Sequence, residues 1–430
     1  MNLNKSYNLL TYYLLILIIL SIYFFFDYFR AFLSLKLLHI SAMSFSYINV
    51  IGVFSIFILL IFSLISSRFD FKYLYLWMFF TFFTLISLYH VNSNAYTIVI
   101  MCFIVPLLIV GIRVDKEVIT KLFEKYIYIL NILVFVILFL GIIDYISRGY
   151  VQSSLINISY FNERFTELVN ENVQREIYRY YSLFGHPLRN TQLFLLFFIS
   201  NTIFNKYFYT KLNSLILSII TILGVTLANS KTGVILALLL IIFFNNSTKK
   251  INLKTKLIYW FATVSVLILI LNTSFFYETF IQRVNSNSDF TSGRSSILNT
   301  ILEGYVPPPG LLGNGFNYSY YIRDLSGQGA TSFEYPPIMF AYDYGILATL
   351  VMYILLLIYP VISFIKKKNY FLLSMFLIFF LDVNSYNGLT NPGDFMLQFS
   401  FFIFLLININ IHFSKNKEIH IQDKKSNSKL

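Results

Sequence analysis

The sequence predicts an all-α integral membrane protein of about twelve transmembrane helices, with two large extracytoplasmic loops. Three observations carry that expectation. The 430 residues are 57% hydrophobic and only 12% charged, with a mean hydropathy of +0.69, more apolar surface than a water-soluble fold can bury. The apolar residues fall in long runs without strict alternation, which suits helices crossing a bilayer and not an outer-membrane barrel. One long interruption stands out at 278–337, where 5 of the 9 prolines and 7 of the 17 glycines collect.

A crossing needs about 20 mostly apolar residues. By that measure the spans fall at 9–26, 45–65, 73–90, 95–112, 126–146, 188–205, 212–229, 233–244, 257–275, 338–364, 370–381 and 395–413. The runs at 233–244 and 370–381 are short, and each reads as a short span, a re-entrant piece or a span that borrows flanking residues. The first run lacks a small-residue cleavage site and reads as a retained span. The whole chain, 1–430, reads as one polytopic domain with loops at about 147–187 and 276–337 and a tail at 414–430.

Charge sets the expected orientation. With both termini in the cytoplasm, inside segments hold 21 of the 32 lysines and arginines, as the positive-inside rule asks. Of the 11 cations outside, 9 are arginines, whose planar fork grips phosphate in two places. The formal charge of +12 therefore reflects membrane flanks and implies no nucleic-acid partner. In the first loop, Phe161, Phe165, Leu168, Val173, Ile177, Tyr181 and Phe184 keep near-helical spacing, with Glu163, Glu167, Glu171, Arg175 and Arg179 on another face. That pattern suggests an amphipathic helix on the outer surface, or simply a solvated charged face.

Several functions are excluded by missing signals. Neither a phosphate-binding G-x-x-x-x-G-K-[ST] nor a dinucleotide-binding glycine motif is present, and no D-x-D pair marks a metal–nucleotide-sugar site. The 5 histidines are scattered without H-E-x-x-H, so no metal site is expected. A lone cysteine, Cys102, permits no internal disulfide. No fixed-period repeat suggests a transporter built from internal repeats.

What remains is an ordered series: Y-S-L-F-G-H-P-L-R-N (181–190), L-A-N-S-K-T-G (227–233), T-S-G-R (291–294), L-L-G-N-G-F (311–316) and F-E-Y-P-P-I-M-F-A-Y-D-Y-G (333–345). Over roughly residues 180–350 this series resembles the O-antigen polymerase/O-antigen ligase superfamily of bacterial membrane glycosyltransferases. The resemblance matches an F-G-x-P-N-like motif to Phe184–Pro187, an S-R-(S/T)-G turn to Ser230–Gly233 with Lys231 in the arginine's place, and S-G-R to Ser292–Arg294. Where the ligases carry a histidine eleven residues before a glycine, this chain has Glu334 before Gly345, which favours the polymerase side.

The resemblance implies transfer of a glycan from one undecaprenyl-pyrophosphate-linked oligosaccharide to another at the outer face of the bacterial inner membrane. It implies no cofactor and a possible chain-length regulator as partner. Arg189, Lys231 and Arg294 are the candidates for the pyrophosphate and Glu334 for the base, with Arg323, His186 and Asp343 as further candidates. Each has a plainer alternative. Arg189 can anchor at the interface, Lys231 can snorkel, and Arg294 can cap a helix or pair with Asp289. Glu334 can be a solvated loop acid, Asp343 can answer an arginine, and His186 can shape its Gly-His-Pro turn. A ligase acting on another acceptor and a flippase for the same lipid-linked sugar are the rival functions.

Overall fold

A computed structural model gives the fold, and it describes residues 3–26, 29–30, 33, 47–158, 169–170, 178–244, 261, 265, 268, 272, 277, 294–326 and 333–414. Among these, secondary structure is helical, apart from one isolated bridge between Phe69 and Ile112. In chain order the helices are α1 (Leu3–Tyr23), α2 (Val50–Ile65), α3 (Phe71–His90), α4 (Tyr96–Gly111), α5 (Lys116–Ile146), α6 (Tyr150–Ile158) and α7 (Pro187–Tyr207). There follow α8 (Ser214–Leu227), α9 (Lys231–Phe244), α10 (Arg294–Leu302), α11 (Tyr318–Leu325), α12 (Pro336–Lys366), α13 (Tyr370–Val383) and α14 (Phe395–Phe413).

Eleven of the twelve apolar runs coincide with these helices; the run at 257–275 lies mostly outside the described residues. Four helices, α3, α5, α12 and α14, are long and apolar enough to cross a membrane by length and composition. The two short runs became α9 and α13, with 14 residues each. At about 1.5 Å per residue such a helix falls short of a bilayer core of about 30 Å.

Helix α7 is the hub. It carries Asn190, Thr191, Gln192, Ser200, Asn201, Thr202 and Asn205, yet all of these are buried. Other helices surround it, so its polar groups meet protein and not lipid. The Asn201 amide donates to Asn131 Oδ1 of α5 at 2.7 Å, and the Asn131 amide returns the bond at 3.2 Å. Such reciprocal amide pairs hold helices together where apolar contact gives no advantage over lipid. Peripheral helices instead expose large apolar side chains, such as Phe54, Tyr75, Phe79 and Phe139.

Prolines explain two irregular helices. Pro106 in α4 and Pro360 in α12 each remove an interior N–H, and each is preceded by a π-helical stretch, Ile100–Ile104 and Ile354–Ile358. In α4, two buried carbonyls accept from α3: Trp77 Nε1 donates to Ile104 O at 2.8 Å and Tyr73 OH to Leu107 O at 2.9 Å.

The end of the bundle away from the candidate site is clasped by ion pairs. Asp70 caps α3, accepts from Arg113 Nη2 at 3.1 Å and accepts from Tyr359 OH at 2.7 Å. Arg68 meets Asp115 at 2.9 Å. Burial pushes the Asp70 carboxyl up, but the Tyr359 hydroxyl, the Arg113 guanidinium and the Tyr73 and Lys72 amides outweigh it. The result is a pKa below the ordinary carboxylate value. A depressed folded pKa means stability that is present above the unfolded pKa of about 4 and is lost as pH falls through the folded value. Thermal unfolding in detergent should therefore show wild type losing stability below about pH 4 and Asp70→Asn losing less over that window. Equal acid sensitivity in the two proteins would remove Asp70 from this account.

The long interruption folds over the other end of the bundle. Ile297 of α10, Ile322 of α11, Val306, Phe333, and Met339 and Tyr342 of α12 form a small buried cluster of their own. Beneath it α12 is broken at Gly345, with φ 92° and ψ 162°. The L-L-G-N-G stretch lies along the break and pairs with the freed backbone. Asn314 N donates to Tyr342 O at 2.8 Å, Gly315 N to Asp343 O at 2.9 Å, and Ile346 N to Gly310 O at 3.1 Å.

Of the expected outer-surface helix, most residues lie outside the described ones. Its last two, Tyr181 and Phe184, sit in an irregular run whose Tyr180 N donates to Leu227 O at 3.0 Å. The run is held by Asp144, buried at the end of α5, which accepts from Tyr178 OH at 2.8 Å and from Gln152 Nε2 at 2.7 Å.

Candidate active site at the head of the bundle

Four helix ends and one loop converge beside the folded interruption. Helix α7 begins at Pro187, whose missing N–H is harmless in a first turn. His186 caps it, its Nδ1 accepting from Leu188 N at 3.2 Å. This gives His186 the turn-shaping work expected of a Gly-His-Pro corner. Arg189 follows on the first turn, its guanidinium 4.2 Å from the centroid of the Phe395 ring at the start of α14. Phe395 packs in turn on Tyr386, with ring centroids 5.7 Å apart.

Tyr386 is the centre of the arrangement. It is 1% exposed, and its hydroxyl donates to Gln192 Oε1 of α7 at 2.8 Å. Burial drives its pKa well above the ordinary tyrosine value; Asp382 pushes it further up, Arg189 opposes, and Glu334 adds to the rise. Side chains from three parts of the sequence, Arg189, Glu334 and Asp382, thus lie within electrostatic range of one hydroxyl.

Glu334 is held in place by its neighbours. Phe333 is buried in the small cluster, and Pro336 opens α12 behind the Tyr335 cap. Glu334 itself is partly exposed. Lys231 opens α9 next to the same helix end. A side chain at Gly233 would stand 2.2 Å from Thr191 Cγ2, so only glycine lets α9 approach the first turns of α7 this closely.

The other candidates stand elsewhere. Arg323 Nε and Nη2 both donate to Asp324 Oδ1, at 2.9 and 2.7 Å, so its fork is engaged on α11. Asp343 is buried and accepts from Ser319 N at 2.8 Å and Ser319 Oγ at 3.2 Å. It serves as the cap of α11, whose own cap residue, Asn317, uses no side chain. The backbone of Arg294 begins α10, and its side chain lies outside the described residues. Among the described residues no cluster of three His, Cys, Asp or Glu could hold a metal ion.

Beside the site lies an apolar cleft lined by Phe26, Phe184, Leu193, Phe395, Arg189 and Asp394, among others. Asp394 is in a buried ion pair with Arg30 at 3.0 Å and accepts from Asn49 Nδ2 at 2.9 Å, joining α14 to the segment between α1 and α2. Sequence reading missed Asp394, Gln192 and Tyr386. The available signal was polarity at the edges of apolar runs, in N-P-G-D before α14 and N-T-Q within α7. Breaking a buried pair by removing one partner costs about 3–5 kcal/mol, because the other charge stays buried. Asp394→Asn, which keeps shape and one acceptor, should lower stability by about 3 kcal/mol in thermal unfolding. A midpoint unchanged from wild type would show that Arg30 has another adequate partner.

Compared with protein-family models, with curated proteins and with solved structures, the chain gives no match.

Proposed function

We propose that the protein is a repeat-unit polymerase for a bacterial surface polysaccharide, working in a cytoplasmic membrane with both termini inside. The observation that carries this reading is the stacking of Arg189 on Phe395, which packs on Tyr386, with the Lys231 end of α9 pressed against the first turns of α7 at a bundle end capped by the folded interruption. In the motif series that resembles the O-antigen polymerase/ligase superfamily, Arg189 follows the F-G-x-P-N-like motif and Glu334 stands where the ligases carry a histidine, which supports giving them the anion and base roles.

The chemistry is an acyl-free glycosyl transfer. The acceptor hydroxyl oxygen bonds to the anomeric carbon of the donor sugar as the bond from that carbon to the pyrophosphate oxygen breaks. The electron pair leaves with polyprenyl pyrophosphate, and the hydroxyl proton passes to Glu334. Arg189 and Lys231 carry the charge that grows on the leaving group, which fixed cations in a water-poor site do well. Phe395 holds the Arg189 guanidinium in place by stacking under it. The twelve-span topology, with the interruption outside the cytoplasm, belongs to the same proposal.

The test is a gel of surface polysaccharide from a strain deleted for this gene and complemented with wild type. Loss of long polymer with single repeats still displayed supports a polymerase. Complete loss of displayed repeats points to the flippase instead. Long glycan that is made but not attached points to the ligase.

A further inference from the structure

Two buried polar groups beside Tyr386 have no hydrogen-bond partner among the described residues: Nε2 of Gln192 and Oδ2 of Asp382. Gln192 is 1% exposed and Asp382 2%. A buried polar atom left unmatched is destabilising, so two of them around one side chain are a costly arrangement to keep. The Tyr386 hydroxyl fixes the Gln192 amide by donating to its oxygen, which commits the amide N–H groups to point elsewhere. Asp382 lies in the last turn of α13, four residues before Tyr386, and bears on the same hydroxyl. Gln192 lies three residues after Arg189, hence on the same face of α7 and one turn deeper.

We propose that Gln192, Asp382 and Tyr386 form the floor of the acceptor-sugar site and bind a ring hydroxyl next to the one that reacts. This rests on the polymerase reading and deepens it. A hydroxyl both donates and accepts, and the two unmatched groups are one donor and one acceptor. The Gln192 amide donates to the hydroxyl oxygen, and the hydroxyl donates to Asp382 Oδ2. Arg189, one turn nearer the start of α7, and Glu334 are both partly exposed. Gripping one hydroxyl turns its neighbour toward the donor's anomeric carbon, so the floor selects which position is glycosylated. Asp382 and Gln192 are specificity residues here, and the transferred proton goes to Glu334.

The test uses the full chain in the deletion strain, with Asp382→Leu and Asp382→Asn. Thermal unfolding of each detergent-purified protein and polymer length are both measured. Replacing a buried carboxyl group that has an unmatched oxygen by a group of its own shape should leave the unfolding midpoint equal or higher. A site built to bond a substrate hydroxyl loses its discrimination steeply when the bond is removed, so long polymer should fall by on the order of 100-fold. Stable protein without polymer is the expected pair of results. Asp382→Leu with wild-type polymer would mean the floor holds only water, and a Leu or Asn variant that is unstable or missing from the membrane would make Asp382 structural. Either overturns the proposal while the polymerase reading stands. If deleting the gene leaves polymer unchanged, the polymerase reading falls first and takes the floor assignment with it.

Discussion

Glu334→Gln is expected to reduce long surface polysaccharide to single repeats while the protein remains in the membrane at wild-type level. Removing a general base costs typically about 10²–10⁴ in rate, and chain length compounds that loss because every added unit repeats the step. The substitution keeps the size of a partly exposed side chain that Phe333 and Pro336 anchor on either side, so the fold should tolerate it. Arg189→Ala should cost about 10²–10³, the scale for removing one donor to a developing anion. Arg189→Lys should recover only part of this, because lysine keeps the charge but lacks the flat fork that lies over Phe395. Blots of membrane fractions beside the polysaccharide gel make the comparison. Normal polymer from well-expressed Glu334→Gln would remove the base assignment, and normal polymer from Arg189→Ala would remove the anion site.

Gly345→Ala is expected to prevent accumulation of folded protein. The backbone at φ 92° and ψ 162° is a conformation essentially confined to glycine, costing other residues about 1–3 kcal/mol. A β-carbon there would also stand 2.3 Å from Leu311 O and 2.5 Å from Leu312 C, which are backbone atoms and cannot rotate away. Relief requires the L-L-G-N-G stretch to leave α12, and the bonds to Tyr342 O, Asp343 O and Ile346 N go with it. A total loss above about 4 kcal/mol follows, a large part of the stability of an ordinary domain. Gly313→Ala should behave alike, since its φ is 76° and its β-carbon would meet Gly345 N at 2.3 Å. Gly304→Ala is the control: its φ is also positive, at 79°, but nothing lies within 4 Å, so only the conformational cost remains. Fluorescence-detected size-exclusion chromatography of tagged variants separates these outcomes. A Gly345→Ala protein as monodisperse and abundant as Gly304→Ala would show that the broken helix tolerates repair.

The helices were legible in the chain because a long apolar run offers its backbone polar groups no side-chain partner, so they are satisfied within the segment as a helix. The prolines at 106 and 360 marked irregular turns for an equally local reason, a missing N–H. Arg189 and Glu334 were legible as candidates because charge beside an apolar run, flanked by proline, is costly unless it has work to do.

What the sequence could not determine is which charges meet. Helix α7 has no amphipathic face to read, because protein surrounds it on every side and neighbours such as Asn131 and Tyr386 bond its amide groups, the Gln192 nitrogen excepted. Asp343 and Glu334 are nine residues apart and looked alike as candidates. The break at Gly345 makes room for the L-L-G-N-G stretch and puts Asp343 under Ser319 as a cap, while Glu334, beside the buried Phe333, stays partly exposed. Asp382 and Gln192 carried no motif, and their significance rests on bonds that neighbouring groups do not make. The sequence by itself determined where the chain is helical and apolar, since the apolar character of a run is a property of each segment alone. Only the tertiary structure decided which polar groups are answered and which are left for a ligand, since a hydrogen bond needs its partner within about 3 Å and distance along the chain does not encode that.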